Sequence, residues 1–141
     1  MSVERRTEFA WAAGLIDGEG SIDVTRHQSR TGCRFYPRLR VHMTSRIAVE
    51  RLQRIFHTGT VTMRTPKDGI RQRSYCWAVE NREDLQRVLR GLMDFLIVKR
   101  WQAALASALL NDANALKASD RAAITDEIRR AKRPVCHKEV A

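Results

Sequence analysis

The chain has 141 residues, 43% of them hydrophobic, which is enough for one domain with a core of its own. It carries 26 Lys and Arg against 16 Asp and Glu, a formal net charge of +10, so a polyanion is the expected partner, and nucleic acid is the commonest polyanion inside cells. No apolar run approaches the roughly 18 residues of a membrane span, and residues 1–9 lack the apolar core of a signal peptide, so we expect a soluble intracellular protein without a membrane partner.

Arginine dominates the basic residues, with 21 Arg against 5 Lys. The planar guanidinium binds phosphates and guanine edges through two hydrogen bonds at once, which suits a nucleic-acid partner. A GC-rich genome, which favours arginine codons, is the alternative explanation. The three cysteines, Cys33, Cys76 and Cys136, are odd in number and widely spaced, so we expect reduced thiols rather than a disulfide framework or a zinc site.

The first predicted helix is capped by Thr7 and is apolar on nearly every side, so we expect it to be buried all round. Ala10, Gly14 and Gly18 follow one another at intervals of four residues and therefore share one face. Small residues on that face let two backbones approach closely. The pattern predicts that this helix packs against another helix.

Two strands follow the first helix. The hydrophobic period changes to two, with Ile22 and Val24 alternating with polar residues, and the segment 34–43 alternates in the same way. Residues 30–32 form the predicted hairpin loop between the two strands. Pro37 lies inside the second strand, where its missing N–H predicts a bulge or an edge position.

A second helix and a second hairpin come next. Thr44 or Ser45 caps the helix, and Gly59 ends it. The turn signal at 66–69 separates the two strands of the hairpin. The return strand is predicted to carry Tyr75, Trp77 and Val79 on its apolar face and Gln72, Ser74 and Cys76 on the other.

Helices fill the rest of the chain. Asn81 caps a third helix, a fourth begins near Phe95, and residues 118–132 form a weaker, Ala- and Arg-rich helix before a basic tail. The predicted buried face of the fourth helix consists of Val98, Trp101, Leu105, Ala108 and Leu109.

This order of elements predicts an α+β fold with one antiparallel sheet, whose apolar face takes the helices. We expect a single domain over residues 1–141, with its core at about 5–112 and a C-terminal helix and basic tail at 113–141. We call the other face of the sheet the polar sheet face. It is predicted to carry Asp23, Thr25, His27, Arg34, Arg38, Arg40, Thr62, Arg64, Gln72 and Ser74.

The polar sheet face, rich in Arg, His, Thr, Gln and Ser, is typical of a surface that recognises DNA. A two-stranded ribbon fits the major groove, where each base pair presents a distinct pattern of donors and acceptors. The hairpin loops 28–33 and 65–72 would extend this surface along the duplex. The alternative is an ordinary solvated face.

The stretch WAAGLIDGEGSI, residues 11–22, places two carboxylates at the helix exit of a strongly basic chain. Acids there would repel phosphate unless a divalent cation lies between them, and Mg²⁺ needs only one or two carboxylates besides phosphate oxygens and water. Glu19, beyond the turn, is the candidate metal ligand, with an exposed turn acid as the alternative. Asp17, in the last helical turn, is the candidate structural cap.

Residues 12–20, AAGLIDGEG, resemble the signature of the LAGLIDADG homing endonucleases and match it at six of nine positions, with differences at Ala12, Gly18 and Glu19. The predicted element order also resembles the αββαββα core of that family, with its saddle-shaped antiparallel sheet, over about residues 5–112. The resemblance implies that two copies pack through their signature helices, with an interface made by Ala10, Gly14, Asp17 and Gly18.

The last acid of the signature binds the catalytic divalent metal in this family. The resemblance therefore implies Glu19 as a ligand of Mg²⁺ or Mn²⁺ and the Gly18 carbonyl as a further ligand. The segment DFLIVKRWQA resembles the one that supplies an active-site lysine, which points to Lys99, with a surface lysine as the alternative. Ser45 lies where relatives carry a polar residue that positions water, and Arg46 is its substitute if the serine is too short.

The sequence holds one copy of the motif, and a one-motif chain of this family works as a homodimer on a pseudo-palindromic site. The resemblance implies a site-specific, Mg²⁺-dependent double-strand DNA endonuclease. The alternatives are a cleavage-inactive DNA-binding regulator or an intron RNA maturase of the same fold, and a small helix-turn-helix regulator, against which the two hairpins argue. The residues expected to contact DNA are Asp23, Thr25, His27, Arg30, Arg34, Tyr36, Arg38, Arg40, His42, Thr62, Arg64, Lys67, Gln72, Ser74 and Cys76.

Overall fold

A computed structural model of the chain describes residues 1–111 and 116–132 and has, within these ranges, five helices and four strands. From the first helix to the third the order is helix, two strands, helix, two strands, helix, so the predicted α+β fold and αββαββα core are confirmed. The predicted basic tail from residue 133 on, with Cys136, lies outside the described residues. The elements are α1 Val3–Glu19, β1 Gly20–Ser29, β2 Gly32–Met43, α2 Arg46–Phe56, β3 Thr60–Arg64, β4 Ser74–Val79, α3 Arg82–Leu92, α4 Arg100–Leu110 and α5 Ala118–Ala131.

The four strands form one antiparallel sheet in the order β1-β2-β4-β3. β1 and β2 pair without a break from Gly20 opposite Val41 to Ser29 opposite Gly32, so β2 has no bulge against β1. β4 pairs with β2 only from Leu39 onward. Pro37 therefore has a neighbouring strand on one side only, and of the two predictions for it the edge position is the correct one.

The hydrophobic core lies between the apolar face of the sheet and the helices. Phe9 of α1 stacks on Phe56 of α2, and Phe56 stacks on Trp77 of β4, with ring centroids 5.3 and 5.7 Å apart. The indole N–H of Trp77 donates to the Thr58 carbonyl at 3.0 Å. Gly59 is required beside this ring, because its φ is +96° and a Cβ there would lie 2.2 Å from the indole nitrogen.

Helix α1 differs from its prediction at both its start and its exposure. It begins at Val3 with Ser2 as the N-cap, whereas Thr7 lies inside the helix and donates its hydroxyl to the Val3 carbonyl. The expectation of burial all round is wrong for the single chain. The buried residues are Phe9, Ala12, Ala13 and Ile16, and the small-residue face of Ala10, Gly14 and Gly18 is exposed.

Helices α2 and α3 are capped by Ser45 and Asn81 as predicted, through hydrogen bonds to the N–H groups of Ala48 and Asp84. α2 ends earlier than expected. His57, with φ of 52°, takes the left-handed position that was predicted for Gly59.

Helix α4 begins at Arg100, five residues later than the predicted start near Phe95. The residues between are held by Asp17 of α1, which bonds to two of their backbone N–H groups. Val98, before the helix, is 70% exposed and Trp101, within it, is 58% exposed, so the prediction that they are buried is wrong. The buried residues of α4 are Gln102, Ala103, Ala106, Leu109 and Leu110.

Helix α5, Ala118–Ala131, lies where a helix was predicted over residues 118–132, and it packs against α4 and β1. Thr125 and Ile128 are its buried residues, and Lys132 at its C-terminal cap contacts side chains of β1. Across the described ranges, every helix is too short or too polar to cross a membrane.

Candidate nucleic-acid interface and metal site

The strand register places the predicted polar side chains on one face of the sheet. Cross-strand partners share a face, and the observed partners include Asp23 with Arg38, His27 with Arg34, and Arg64 with Ser74. Gln72 is the exception, because β4 begins only at Ser74 and Gln72 is exposed in the connection before it. The polar sheet face as observed carries Asp23, Thr25, His27, Arg34, Tyr36, Arg38, Arg40, His42, Thr62, Arg64, Ser74 and Cys76.

A concave region of about 810 Å³ lies over the β2, β4 and β3 part of the polar sheet face. Its lining includes Arg38, Arg40 and Arg64, and the carboxylates Glu80 and Asp84 lie at its border with α3. Arg30 and Lys67 belong to the two hairpin connections, so they flank the polar sheet face rather than lining this region. The polar sheet face is therefore concave and carries several arginines, and each of the two hairpin connections beside it adds a basic residue.

Asp23 is surrounded by cations and is engaged within the chain. Its Oδ2 accepts from Arg40 Nη2 and from the Ser21 hydroxyl, each at 2.9 Å, and its Oδ1 accepts from the Lys132 ammonium. Burial alone would raise the pKa of Asp23, but the hydrogen bonds from Lys132, Arg40 and Ser21 outweigh burial and lower the pKa to about 2.

Cys76 and His42 are cross-strand neighbours in the middle of the polar sheet face, with the sulfur 3.6 Å from His42 Nε2. Burial raises the pKa of the Cys76 thiol, so it stays protonated at neutral pH. Cys33 is likewise free, as expected, and accepts a hydrogen bond from Arg26 Nε at 3.1 Å.

The acidic end of α1 is tied to the start of α4. The carboxylate of Asp17 accepts from the N–H groups of Ile97 and Lys99, both at 2.9 Å. The Lys99 ammonium donates back to the Asp17 carbonyl at 2.5 Å. Lys99 is the N-cap of α4 and makes no side-chain cap bond, and Asp17, from another helix, accepts from the N–H of this cap residue and from that of Ile97 before it.

Glu19 is the last residue of α1 and is exposed. It lines a second concave region, of about 320 Å³, together with His42, Met43, Thr44 and Ser74. His42 and Ser74 belong to the polar sheet face, so the Glu19 carboxylate adjoins that face directly.

Ser45 and Arg46 follow β2 near this region but are engaged elsewhere. The Ser45 hydroxyl oxygen accepts from the Ala48 N–H at 3.3 Å as the cap of α2. Arg46 Nε bonds to Glu50 at 2.7 Å, and this ion pair raises the pKa of the Arg46 guanidinium. Neither side chain lines the concave region beside Glu19.

The groups at the end of α1 are those that a hard divalent cation prefers. Carbonyl oxygens in the last turn of a helix have no partner within the helix, and that end carries partial negative charge. The Gly18 carbonyl and the Glu19 carboxylate therefore offer oxygen donors of the kind that Mg²⁺ binds. Within residues 1–111 and 116–132, no three His, Cys, Asp or Glu side chains come together as a metal-binding group.

The small-residue face of α1 is open to a partner. A Cβ added at Gly14 or at Gly18 would meet nothing within 4 Å, and Ala10 on the same face is exposed. The single chain therefore exposes a helix face whose side chains are small enough for a second backbone to approach closely.

Sequence reasoning missed two partners of Asp23, Ser21 and Lys132. The presence of one acid on a basic strand face indicates a neighbouring cation, but no local pattern identifies a lysine 109 residues away.

Comparison with known proteins gives one family. The model of the LAGLIDADG endonuclease family matches residues 12–99. No match was found among curated proteins.

Several solved structures share the fold, and the predicted homing-endonuclease-like architecture is confirmed. The homing endonuclease I-CvuI, solved with a DNA target in the presence of Mg, has 24% identity and a TM-score of 0.75, with 92% of this chain and 85% of that chain covered. The archaeal intron-encoded homing endonuclease I-Vdi141I, complexed with DNA, has 20% identity and a TM-score of 0.72, with 91% of this chain and 86% of that chain covered. The homing endonuclease I-TnaI has 18% identity and a TM-score of 0.65, with 87% of this chain and 94% of that chain covered.

Proposed function

The chain belongs to the LAGLIDADG endonuclease family, and from that membership we propose that it is a site-specific double-strand DNA endonuclease acting as a homodimer. The observation that carries the proposal is the position of Glu19, whose carboxylate at the end of α1 adjoins the polar sheet face. An acid in that position serves a basic DNA-binding surface when a cation lies between it and the phosphate.

The polar sheet face is the proposed DNA-binding surface. Its arginines suit guanine edges and phosphates, and its threonines and serine suit either base edges or backbone. The neighbour I-CvuI was solved with DNA, which supports the same use of the shared fold. With a net charge of +10 and six to ten phosphate contacts, affinity should fall by roughly 10³–10⁵ between low and moderate salt.

The homodimer is proposed to form through the exposed small-residue face of α1, with Ala10, Gly14 and Gly18 against their counterparts and Asp17 at its end. Two-fold packing there would bring two Glu19 carboxylates to the axis, one for each DNA strand. The chain itself offers one such carboxylate at this end, so a second copy would complete the pair.

Glu19 and the Gly18 carbonyl are the proposed ligands of Mg²⁺ or Mn²⁺, which when bound polarises the phosphodiester and lowers the pKa of bound water. Neighbouring structures were solved with Mg and with Ca, which agrees with an oxygen-ligand site. Lys99, held at the last turn of α1, places a positive charge beside that site. We propose Ser45, whose hydroxyl oxygen caps α2 and whose proton is left to donate, as the residue that positions water, with Arg46, which pairs with Glu50, as the alternative.

The cleavage-inactive regulator and the RNA maturase are the competing functions within the family. Both an acid at position 19 and a lysine at position 99 are present at one helix end, which favours the nuclease. The two hairpins, which form one four-stranded sheet, argue against a small helix-turn-helix regulator. We also propose that α5 belongs to the same single domain as the preceding elements, since Ile128 is part of the common core.

Selection of cleaved sites from a randomised DNA library in the presence of Mg²⁺ tests the proposal. The expected product is a pseudo-palindromic consensus with a double-strand break at its centre. Recovery of bound but uncut DNA would support the regulator, and binding of intron RNA in preference to DNA would support the maturase.

A further inference from the structure

An acid on the proposed DNA-binding surface is an anomaly, because a carboxylate there repels phosphate. Asp23 nevertheless lies in the middle of β1, opposite Arg38 in the register, with its side chain 21% exposed. Both of its carboxylate oxygens accept hydrogen bonds from the chain itself, from Arg40, Ser21 and Lys132. Both oxygens of Asp23 therefore have partners within the chain before any DNA arrives.

Arg40 is the partner of Asp23 that belongs to the polar sheet face. Its guanidinium is held at Nη2 by Asp23 at 2.9 Å, and its Nε is buried without a hydrogen-bond partner among the described residues. A guanidinium is planar, so fixing one nitrogen restricts the directions of the remaining N–H donors. The side chain, 30% exposed, consequently loses less rotamer freedom on binding than a free arginine does.

We infer that Asp23 is a positioning residue for specificity, which orients Arg40 toward a base edge and makes no contact with DNA itself. The inference rests on the proposed DNA-binding function of the polar sheet face. Direct contact of Asp23 with a cytosine amino group is the competing role, but three of the roughly four acceptor sites of the carboxylate are already used, two of them by the charged groups of Arg40 and Lys132.

A purely structural role is the second competitor, because Lys132 links the end of α5 to β1 through the same carboxylate. This role depends on Lys132 and not on Arg40. The Lys132→Met variant removes the link to α5 and leaves the Asp23–Arg40 pair in place, so it separates the two roles.

The test is a double-mutant cycle on base preference, measured as binding to randomised DNA without added metal so that cleavage plays no part. The variants are Asp23→Ala, Arg40→Ala, the double variant and Lys132→Met, each checked by thermal unfolding. Asp23→Asn keeps the side-chain shape and one acceptor oxygen, and serves if the alanine variant does not fold.

Asp23→Ala and Arg40→Ala should each reduce discrimination at the same base pair of each half-site, by roughly 5- to 150-fold. The double variant should show no further loss, because both changes remove one interaction. Affinity of Asp23→Ala for non-specific DNA should not fall, since a negative charge has been removed. Asp23→Asn should retain part of the discrimination, and Lys132→Met should leave the profile unchanged.

A loss at a different base pair for the two single variants, or additive losses at one, would overturn the inference in favour of direct contact. A profile that changes in Lys132→Met as much as in Asp23→Ala would indicate the structural role, and unchanged preference in both Asp23 variants would exclude positioning. If the unmodified protein shows no base preference, the proposed DNA-recognition function itself fails, which is a separate outcome.

Discussion

Asp17 and Lys99 are joined by two hydrogen bonds of opposite direction, although 82 residues separate them. The Asp17 carboxylate accepts from the Lys99 N–H, and the Lys99 ammonium donates to the Asp17 carbonyl. Because Glu19 lies two residues beyond Asp17, this pair fixes a lysine beside the proposed metal ligand and at the same time sets the first residue of α4.

Asp17→Ala should loosen the segment that enters α4. The variant leaves the N–H groups of Ile97 and Lys99 without their acceptor, and hydrogen bonds to a charged group are worth about 1.5–3 kcal/mol of unfolding free energy, less where solvent reaches them. Denaturant unfolding measures the loss, and hydrogen exchange should speed up at these two amides. Unchanged protection of both amides would show that Asp17 is not their hydrogen-bond acceptor. Glu19→Gln is the control and should leave their exchange unchanged.

Glu19→Gln should abolish Mg²⁺-dependent cutting while DNA binding is retained. The amide keeps the size of the side chain but removes the charge that binds the cation, and loss of metal catalysis costs several kcal/mol, or roughly 10²-fold or more in rate. Single-turnover cleavage and a binding assay on the same duplex separate the two effects. Cutting at the normal rate would show that Glu19 is not the ligand.

Gly14→Leu should convert the homodimer into a folded monomer. A Cβ at this position meets no atom of its own chain within 4 Å, and leucine favours a helix over glycine by about 0.8 kcal/mol, so the single chain should fold at least as well. In the proposed dimer the leucine would block close approach of the two helices. Sedimentation velocity gives the readout, and Arg90→Leu on the exposed side of α3 controls for added apolar surface. A dimer that persists in Gly14→Leu would refute packing through this face.

At neutral pH, the ionised Asp23 should stabilise the folded protein, and this stabilisation should be lost in acid. Its folded-state pKa of about 2 lies below the usual value of 3.8, so the contribution is fully present above pH 4 and is lost as the pH falls from about 4 to 2. The shift corresponds to at most about 2.5 kcal/mol, a figure reduced by solvent around Lys132. Unfolding curves of the unmodified protein and Asp23→Asn should differ at pH 6 and converge near pH 2. If the difference in stability between the two proteins stays constant from pH 6 to pH 2, the lowered pKa of Asp23 is not the source of the stabilisation.

Arg38→Ala should relax base preference at one position of each half-site by about 1–3 kcal/mol. Arg38 lies on the polar sheet face, where its only ion pair among the described residues is a long one, 3.9 Å, to Glu80. Selection of bound sequences measures the change. Arg54→Ala, an exposed arginine of α2 on the opposite layer, should leave the profile intact and controls for loss of charge. An unchanged profile in Arg38→Ala would remove this residue from the recognition surface.

The strands and two of the helix caps could be predicted because their causes are local. Alternation of apolar and polar residues sets which side of a strand is buried, so the polar sheet face follows from sequence once the period is recognised. Ser45 and Asn81 bond to N–H groups three residues away, within the range of a sequence pattern.

The start of α4 and the environment of Asp23 could not be predicted, because their causes are distant in sequence. Apolar spacing predicted that Val98 is buried within a helix, but Asp17 binds the N–H groups on either side of it, and Val98 lies before α4 and is exposed. Lys132 reaches Asp23 only because α5 packs against β1. In both places tertiary contacts overrode a local pattern.

Helix α1 passes into strand β1 without an intervening residue, since Glu19 ends the one and Gly20 begins the other. Gly20 leaves no room for adjustment there, as a Cβ would lie 2.6 Å from the Ile16 carbonyl oxygen. In the proposed dimer, the rigid junction of α1 and β1 would then set the distance between the two cuts in the DNA. Substitutions along the strands would change which sequence is bound, whereas the overhang length would stay the same in every variant that still folds.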